Sequence, residues 1–287
     1  MSITIAFAGK GSAGKTTLLP SLLNTATELR PDERRLVVDV DPHQSLTGIL
    51  GHDGCMTVGR LRSAYERQLL TGVELRQDET REAFLEARMG QEALLPTPGY
   101  DFLALGQWEL AGSQCTPNRV MTRALAVMLG RYDLALLDNE AGVEHIGRYA
   151  SVPLDALVIV ATPARLSLDV AGRIWESATR LRETPRLGVL LLNRVHPGDM
   201  ARPHVLDALA RFDQAGVHLL GTVSEADDEP HTLPADHPWH QQLAPLWRTL
   251  LTQVRATSLI SSVRLNEHNR IASGGNVSSI TRQEMMS

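Results

Sequence analysis

Short β-branched apolar runs alternate with amphipathic stretches of helical length along most of this chain. The runs Ile3–Ala8, Arg35–Val40, Asp101–Leu105, Leu134–Asp138, Leu157–Ala161, Leu187–Leu192 and Val217–Val223 predict strands. Helical patterns occupy most of the gaps, as in Thr16–Glu28, Pro117–Leu129 and Ser167–Glu183. Strands that alternate with helices predict a doubly wound α/β fold: a mostly parallel sheet of about seven strands, helices on both faces and right-handed crossovers. Two stretches break the rhythm. Thr57–Gly90 is polar and rich in Arg, Glu and Leu, which predicts a helical insertion packed on one edge of the sheet. After about Asn266 the chain turns to Ser, Asn, Gly and Arg, so residues 266–287 are expected to be a disordered tail. With no repeat and no convincing linker, residues 1–265 are read as one domain.

Composition narrows the class. A hydrophobic share of 43% over 287 residues is enough for a sizeable core. The net charge of −5 argues against a dedicated nucleic-acid surface. No apolar run is long enough to span a bilayer, and the first residues lack a basic region and a cleavage site, so neither a membrane span nor a signal peptide is expected. Two cysteines, Cys55 and Cys115, make no disulfide framework and fit a reducing cytoplasm.

The first chemistry follows the first strand. Gly9-Lys10-Gly11-Ser12-Ala13-Gly14-Lys15-Thr16 fits G-x-x-x-x-G-K-[ST], set between a buried strand and a helix. The glycines let successive N–H groups turn inward around a β-phosphate, and the helix adds its positive end. Lys15 is expected to reach the β- and γ-phosphates, the Thr16 hydroxyl to ligate Mg²⁺ and Thr17 to support the α-phosphate. An acid at the end of a hydrophobic strand, Asp138, is expected to hold the same Mg²⁺, directly or through water. The following loop, Asn139-Glu140-Ala141-Gly142, offers the Gly142 N–H to the γ-phosphate as a moving segment. Asp41, beyond the second strand, is placed to face the γ-phosphate. Asp39 lies on the same strand face and is read as either functional or structural.

Lys10 is an unusual residue at its place in such a loop. In this it resembles the deviant Walker A class of MinD, ParA and the nitrogenase iron protein. That resemblance implies an ATP-switched homodimer in which Lys10 reaches the partner's nucleotide, stabilising charge as an arginine finger does. It also implies that Asp41 holds the attacking water. A guanine reader would be Asn-Lys-x-Asp, but the sixth run ends Leu192-Asn193-Arg194-Val195-His196. The guanine-accepting aspartate is replaced by His196, which favours ATP. Asn193 is the candidate adenine contact, and Val223-Ser224-Glu225 is expected to pack over the other side of the base.

Gly112-Ser113-Gln114-Cys115 and Leu137-Asp-Asn-Glu-Ala-Gly-Val-Glu-His-Ile-Gly-Arg148 carry a closer resemblance, to the CooC-type ATPases that help insert nickel into carbon monoxide dehydrogenase. It runs from the phosphate loop to about residue 250. It implies slow ATP hydrolysis coupled to maturation of a metalloenzyme client. That group has a Cys-x-Cys pair that binds metal across the dimer, whereas here the run is Cys115-Thr116-Pro117. A dimer would bring two thiolates rather than four, a poor closed site for Ni²⁺ or Zn²⁺. Cys115 is thus either a metal ligand or a small inert residue. Glu144 and His145 either couple the switch to a client or the dimer face, or cap a helix. The rival functional reading is a spatial regulator of the ParA or MinD type. A nitrogenase-like cluster would need a second cysteine in the switch, and none is there.

Weaker signals remain. His231, His237 and His240 lie near Asp236 among Pro230, Pro234 and Pro238, which reads as a proline-broken loop rather than a metal site. Leu246, Trp247, Leu250, Leu251 and Val254 recur at helical spacing. The stripe fits a helix docked on the sheet or one laid on a membrane. The final residues form no amphipathic anchor.

Overall fold

The computed structural model describes residues 2–70, 86–107, 123–139, 153–181, 184–226 and 237–272. Eight strands form one sheet: β1 (Ile3–Gly9), β2 (Arg35–Asp39), β3 (Leu95–Thr97), β4 (Tyr100–Ala104), β5 (Leu134–Asp138), β6 (Ala156–Ala161), β7 (Leu187–Val195) and β8 (Val217–Ser224). Their order is β3-β4-β2-β5-β1-β6-β7-β8. Every neighbouring pair is parallel except β3 with β4. The sheet therefore has one strand more than the sequence pattern predicts. β3 is three residues long, includes Pro96 and pairs antiparallel through the Pro98-Gly99 turn. Too short to show a period of its own, it is an edge strand, where proline is tolerated.

The helices are α1 (Lys15–Leu29), α2 (Ser45–Ile49), α3 (Val58–Leu70), α4 (Arg165–Thr179), α5 (Pro203–Gln214) and α6 (Pro238–Ala272). A helix also runs through 123–129. Strand alternation divides the core in two. Ala6 and Ala8 of β1 face a layer with Leu168, Ile174 and Trp175 of α4 and Leu125 and Met128. Ile5 and Phe7 face a layer with Leu18, Leu19 and Leu22 of α1 and Trp239, Leu243, Trp247, Leu250 and Val254 of α6. Trp247 is fully buried, packs edge-on against Phe7 with ring centroids 5.9 Å apart, and its Nε1 donates to Ser21 Oγ at 3.3 Å. The apolar stripe near residue 250 is thus the docked face of α6. Its backbone stays helical to Ala272, six residues beyond the start of the expected tail, and residues 273–287 lie outside the described residues.

In the segment read as an insertion, α3 is followed after residue 85 by helix through 86–88 and a π-helical turn, Met89–Ala93. Val58, Leu61, Met89 and Ala93 bury beside Leu103 and Leu105, and Thr57 bridges to Ala104, so this unit covers the β4 side of the sheet.

Polar locks hold the end of the sheet away from the strand C-termini. Asp155 accepts from Thr4 N at 2.9 Å, Arg186 Nη1 at 2.9 Å and Ser258 Oγ at 2.5 Å, tying β1, β7 and α6 together. The buried Arg35 guanidinium donates to the carbonyls of Ala26, Arg30, Glu33 and Gly99. It fills the carbonyl-rich C-terminal end of α1 with positive charge.

Candidate functional site

β1 delivers its chain to the middle of the sheet, and the loop after it returns directly into α1. Ala13 N donates to Lys10 O at 3.1 Å, closing the turn. Ser12 is left-handed at φ 65 and Gly14 at φ 95, so successive amides are turned to one side of the loop. Neighbouring strands press the loop from beneath. A Cβ at Gly9 would lie 2.2 Å from the carbonyl oxygen of Val160 on β6, and one at Gly14 would lie 2.3 Å from Asn193 Nδ2 on β7. Glycine is needed at both positions by close approach, and at Gly14 by conformation as well. Gly11 lies on the same turn. Lys15 opens α1, is 6% exposed, and places Nζ 3.5 Å from Lys10 O. Lys10 and Lys15 are the only lysines in the chain, every other of its 28 basic residues being arginine. The flexible ammonium point charge occurs only where a loop would wrap phosphate.

Asp138 ends β5 in register with Phe7 of β1 and Asp39 of β2. It is completely buried, and neither carboxylate oxygen has a hydrogen-bond partner of ordinary geometry. Burial pushes its pKa up to about 7. The Thr16 hydroxyl and Lys15 pull it down, while Asp39 and Asp41 push it further up. A buried carboxylate whose nearest hydroxyl is a threonine's is a hard-oxygen donor pair of the kind Mg²⁺ takes. Thr16 and Asp138 therefore fit that ion.

Asp39, also fully buried, accepts from Thr47 N at 2.8 Å, Thr47 Oγ1 at 2.7 Å and Asp41 N at 3.1 Å. Of the two readings left open for it, the structure favours a structural carboxylate, one that locks the loop after β2 onto α2. Burial raises its pKa and these hydrogen bonds oppose the rise. Asp41 lies at the loop surface, accepting from His43 N at 2.9 Å and Ser45 Oγ at 3.0 Å. The loop continues through Gln44 at φ 55.

Asn193, 5% exposed, donates from Nδ2 to Ala13 O at 2.9 Å, and its Oδ1 is buried without a partner. The residue the sequence offers to the base is thus also a brace for the phosphate loop. Arg194 is left-handed at φ 57, and the β7–β8 register shifts between Leu192 and Val195. Thr17 is half-buried in the first turn of α1.

Cys115, Gly142, Glu144, His145, His231 and Asp236 lie outside the described residues. His237 Nδ1 accepts from Trp239 N at 3.2 Å at the start of α6. Among the described residues no three metal-ligating side chains cluster, and no helix is long and apolar enough to cross a membrane. A cavity of about 380 Å³ adjoins the loop after β2, lined by Pro42, Gln44, Thr57, Arg60 and Gln107. The larger one, about 760 Å³, lies at the far end of the sheet between Leu29, Glu33, Asp133 and Arg255, with none of the phosphate-loop residues in its wall. Volume here does not mark the chemistry, because a phosphate loop is a shallow backbone cradle.

Sequence reasoning missed Thr47, the lock on Asp39, and Asn139, whose Nδ2 donates to Phe7 O at 2.8 Å. Asn139 adjoins Asp138, which could have flagged it. Thr47 carried no signal.

The chain matches no protein-family model. An uncharacterised ATP-binding protein of Methanocaldococcus jannaschii is 28% identical over 217 residues, 76% of this chain and 82% of that protein. The carbon monoxide dehydrogenase accessory protein CooC of Rhodospirillum rubrum is 27% identical over 255 residues, 80% of this chain and 94% of that protein. The chain is thus similar, along most of its length, to ATP-binding proteins of the CooC type. Its fold is shared with the MinD cell division ATPase of Pyrococcus furiosus, at a TM-score of 0.63 and 17% identity, covering 88% of this chain and 100% of that one. These similarities agree with a P-loop ATP-binding protein.

Proposed function

We propose that this chain is an ATP-hydrolysing homodimeric switch that matures a metalloenzyme, with nickel insertion into carbon monoxide dehydrogenase or a related client as its output. The observation that carries the nucleotide reading is Asp138, a buried carboxylate with no hydrogen-bond partner of ordinary geometry, set beside Thr16 and Lys15. The client reading rests on similarity to CooC along 94% of that protein, and it is an analogy of family rather than of site.

In this reading the amides of Gly11, Ser12, Ala13 and Gly14, with Lys15, hold the phosphates of ATP. Thr16 and Asp138 would hold Mg²⁺, which would supply neutralisation of the phosphate charge. Asp41 orients the attacking water, Gly142 donates its N–H to the γ-phosphate, and Thr17 steadies the α-phosphate. Lys10 crosses to the nucleotide of the second copy and stabilises charge developing on the leaving oxygen. Asn193 accepts from the base. Hydrolysis releases the Asp41 and Gly142 loops and, with them, the dimer. Cys115 is the one candidate for carrying Ni²⁺ or Zn²⁺ across the two-fold axis.

The test pairs two variants. Lys15→Ala should lose nucleotide, while Asp41→Ala should bind ATP and accumulate as a dimer in light scattering. Hydrolysis by Asp41→Ala at the wild-type rate would remove Asp41 from the mechanism. For the client, reduced protein is titrated with Ni²⁺ and Zn²⁺, with and without ATP, beside Cys115→Ala. One metal per dimer that depends on Cys115 supports a carrier of metal. Absent Cys115-dependent binding, the switch would act on a protein partner alone. ATP-dependent binding to DNA or to liposomes would favour a ParA- or MinD-like spatial role instead.

A further inference from the structure

The end of β5 is tied to β1 more firmly than strand pairing requires. The Asn139 backbone N–H donates to Phe7 O at 3.2 Å, and Nδ2 of the same residue donates to the same oxygen at 2.8 Å. A carbonyl oxygen has two lone pairs, so Asn139 alone saturates this one. Phe7 stands two residues before Gly9, which is packed against the Val160 carbonyl at the root of the phosphate loop. On the other side of β5, Val40 N donates to Asp138 O at 3.0 Å. The Asn139 side chain is buried, and its Oδ1 has no hydrogen-bond partner among the described residues. Asn193 repeats the device from the opposite flank of β1: Nδ2 donates to Ala13 O at 2.9 Å, and Oδ1 is again buried and unpaired. In both, the donor end of an amide braces the phosphate loop or the strand beneath it, and the acceptor end is left over. A leucine of similar size would bury without that cost. What the amide adds at position 139 is a hold on Phe7 O and a free acceptor.

We propose that Asn139 is a positioning residue at the root of the segment 139–142, and that it sets how strongly the site prefers ATP to ADP. The inference rests on the reading of the chain as an ATP switch and deepens it. Nδ2 anchors the root to β1, so the chain leaves β5 in a fixed direction toward Gly142, the residue given to the γ-phosphate in that reading. Oδ1 accepts from an N–H or O–H donor that arrives with the γ-phosphate. Without the anchor, ordering the root becomes a cost that contacts to the γ-phosphate must overcome. ADP makes no such contact, so its binding does not carry that cost. Asn139 thus acts through the segment it starts, touching neither the phosphates nor the ion.

The experiment measures dissociation constants of ADP and of a non-hydrolysable ATP analogue, both with Mg²⁺, for the full chain in wild type, Asn139→Leu and Asn139→Ser. Loss of one hydrogen bond predicts that Asn139→Leu lowers the preference for the ATP analogue over ADP about 3- to 10-fold. ADP affinity should not move. Asn139→Ser, which keeps a shorter donor and acceptor, should recover part of the preference, and it carries the test alone if the leucine variant does not fold. The urea midpoint of Asn139→Leu should change little, because the substitution removes the unpaired acceptor along with the bond. An unchanged preference in the folded variants overturns the proposal. So does an equal loss for both nucleotides, which would make Asn139 a structural brace only. The underlying ATP reading fails differently: Lys15→Ala would then still bind ADP and the ATP analogue as wild type does.

Discussion

The Asp138 carboxylate makes a quantitative prediction about the protein without metal or nucleotide. Its pKa is raised from the ordinary 3.8 to about 7, with burial as the first cause. A rise of about three units corresponds to about 4 kcal/mol at about 1.4 kcal/mol per unit. Between pH 4 and pH 7 the folded protein holds a proton that the unfolded chain has released. Stability therefore falls as pH rises through that window, and the full cost is present above about pH 7. Asp138→Asn stays neutral throughout. Any cost of burying its amide is independent of pH and appears as a constant offset. Relative to that offset, the variant should gain about 3 kcal/mol on wild type between pH 4.5 and pH 8, because at pH 4.5 the unfolded chain has already released most of its proton. Urea unfolding in EDTA at pH 4.5, 6 and 8 reads this directly. In wild type at pH 8, Mg²⁺ with ADP should recover the loss, and in the variant it should not. A wild-type-minus-variant difference that is the same at pH 4.5 and pH 8 would refute the reasoning. Asp138 would then be hydrogen-bonded or hydrated in solution.

Three further outcomes are expected. Gly14→Ala forces a Cβ to 2.3 Å from Asn193 Nδ2 at a left-handed position, so the Asn193–Ala13 bond breaks. Its strain should cost about 1–2 kcal/mol in unfolding, and calorimetric titration should show ATP binding weakened at least tenfold. Trp247→Ala empties the contact between α6 and Phe7 and should destabilise by about 3–5 kcal/mol in denaturant, with nucleotide affinity little changed in the folded fraction. Because lysine occurs only at Lys10 and Lys15, reductive methylation with ¹³C-formaldehyde should give two lysyl signals besides the N-terminus. Only those two should shift or lose reactivity when Mg²⁺ and ADP are added.

The central strands were legible because they are buried on both faces. β1, β2, β5 and β6 carry no polar alternation to confuse with a helix, and the structure buries every residue of each. β3 and α2 were not legible, for the opposite reason. Three residues of β3 and five of α2 are too few for any periodicity, and each exists because a neighbour supplies its bonds: β4 for β3, the Asp39 carboxylate for Thr47 of α2. The helix stripe around Trp247 was visible, but its partner was not, since sheet and membrane demand the same apolar spacing. At the site, the phosphate loop was readable as a string because its function depends on backbone shape, which glycine spacing encodes. Asn193 was found through its place after a strand, but its bond to Ala13 joins residues 180 apart, a relation no local pattern carries.

The two strand-end acids show why partners matter more than position. Asp39 and Asp138 close adjacent strands, face each other in register, and are both fully buried. In the sequence both are carboxylates after an apolar run. Asp39 is given three hydrogen bonds by Thr47 and Asp41, which offset part of the burial cost and make it a brace for the loop that carries Asp41. Asp138 is given none of ordinary geometry, and the fold tolerates that in a place where about 1–3 kcal/mol per unsatisfied group is the ordinary cost. Such a cost persists where something outside the chain relieves it. The two acids are also coupled, because the Asp39 charge raises the Asp138 pKa. An ion held at Asp138 would be attracted by both acids. The loop bearing Asp41 thus hangs from the neighbour of the proposed Mg²⁺ ligand, so a change of charge at Asp138 should be felt there without contact between the two.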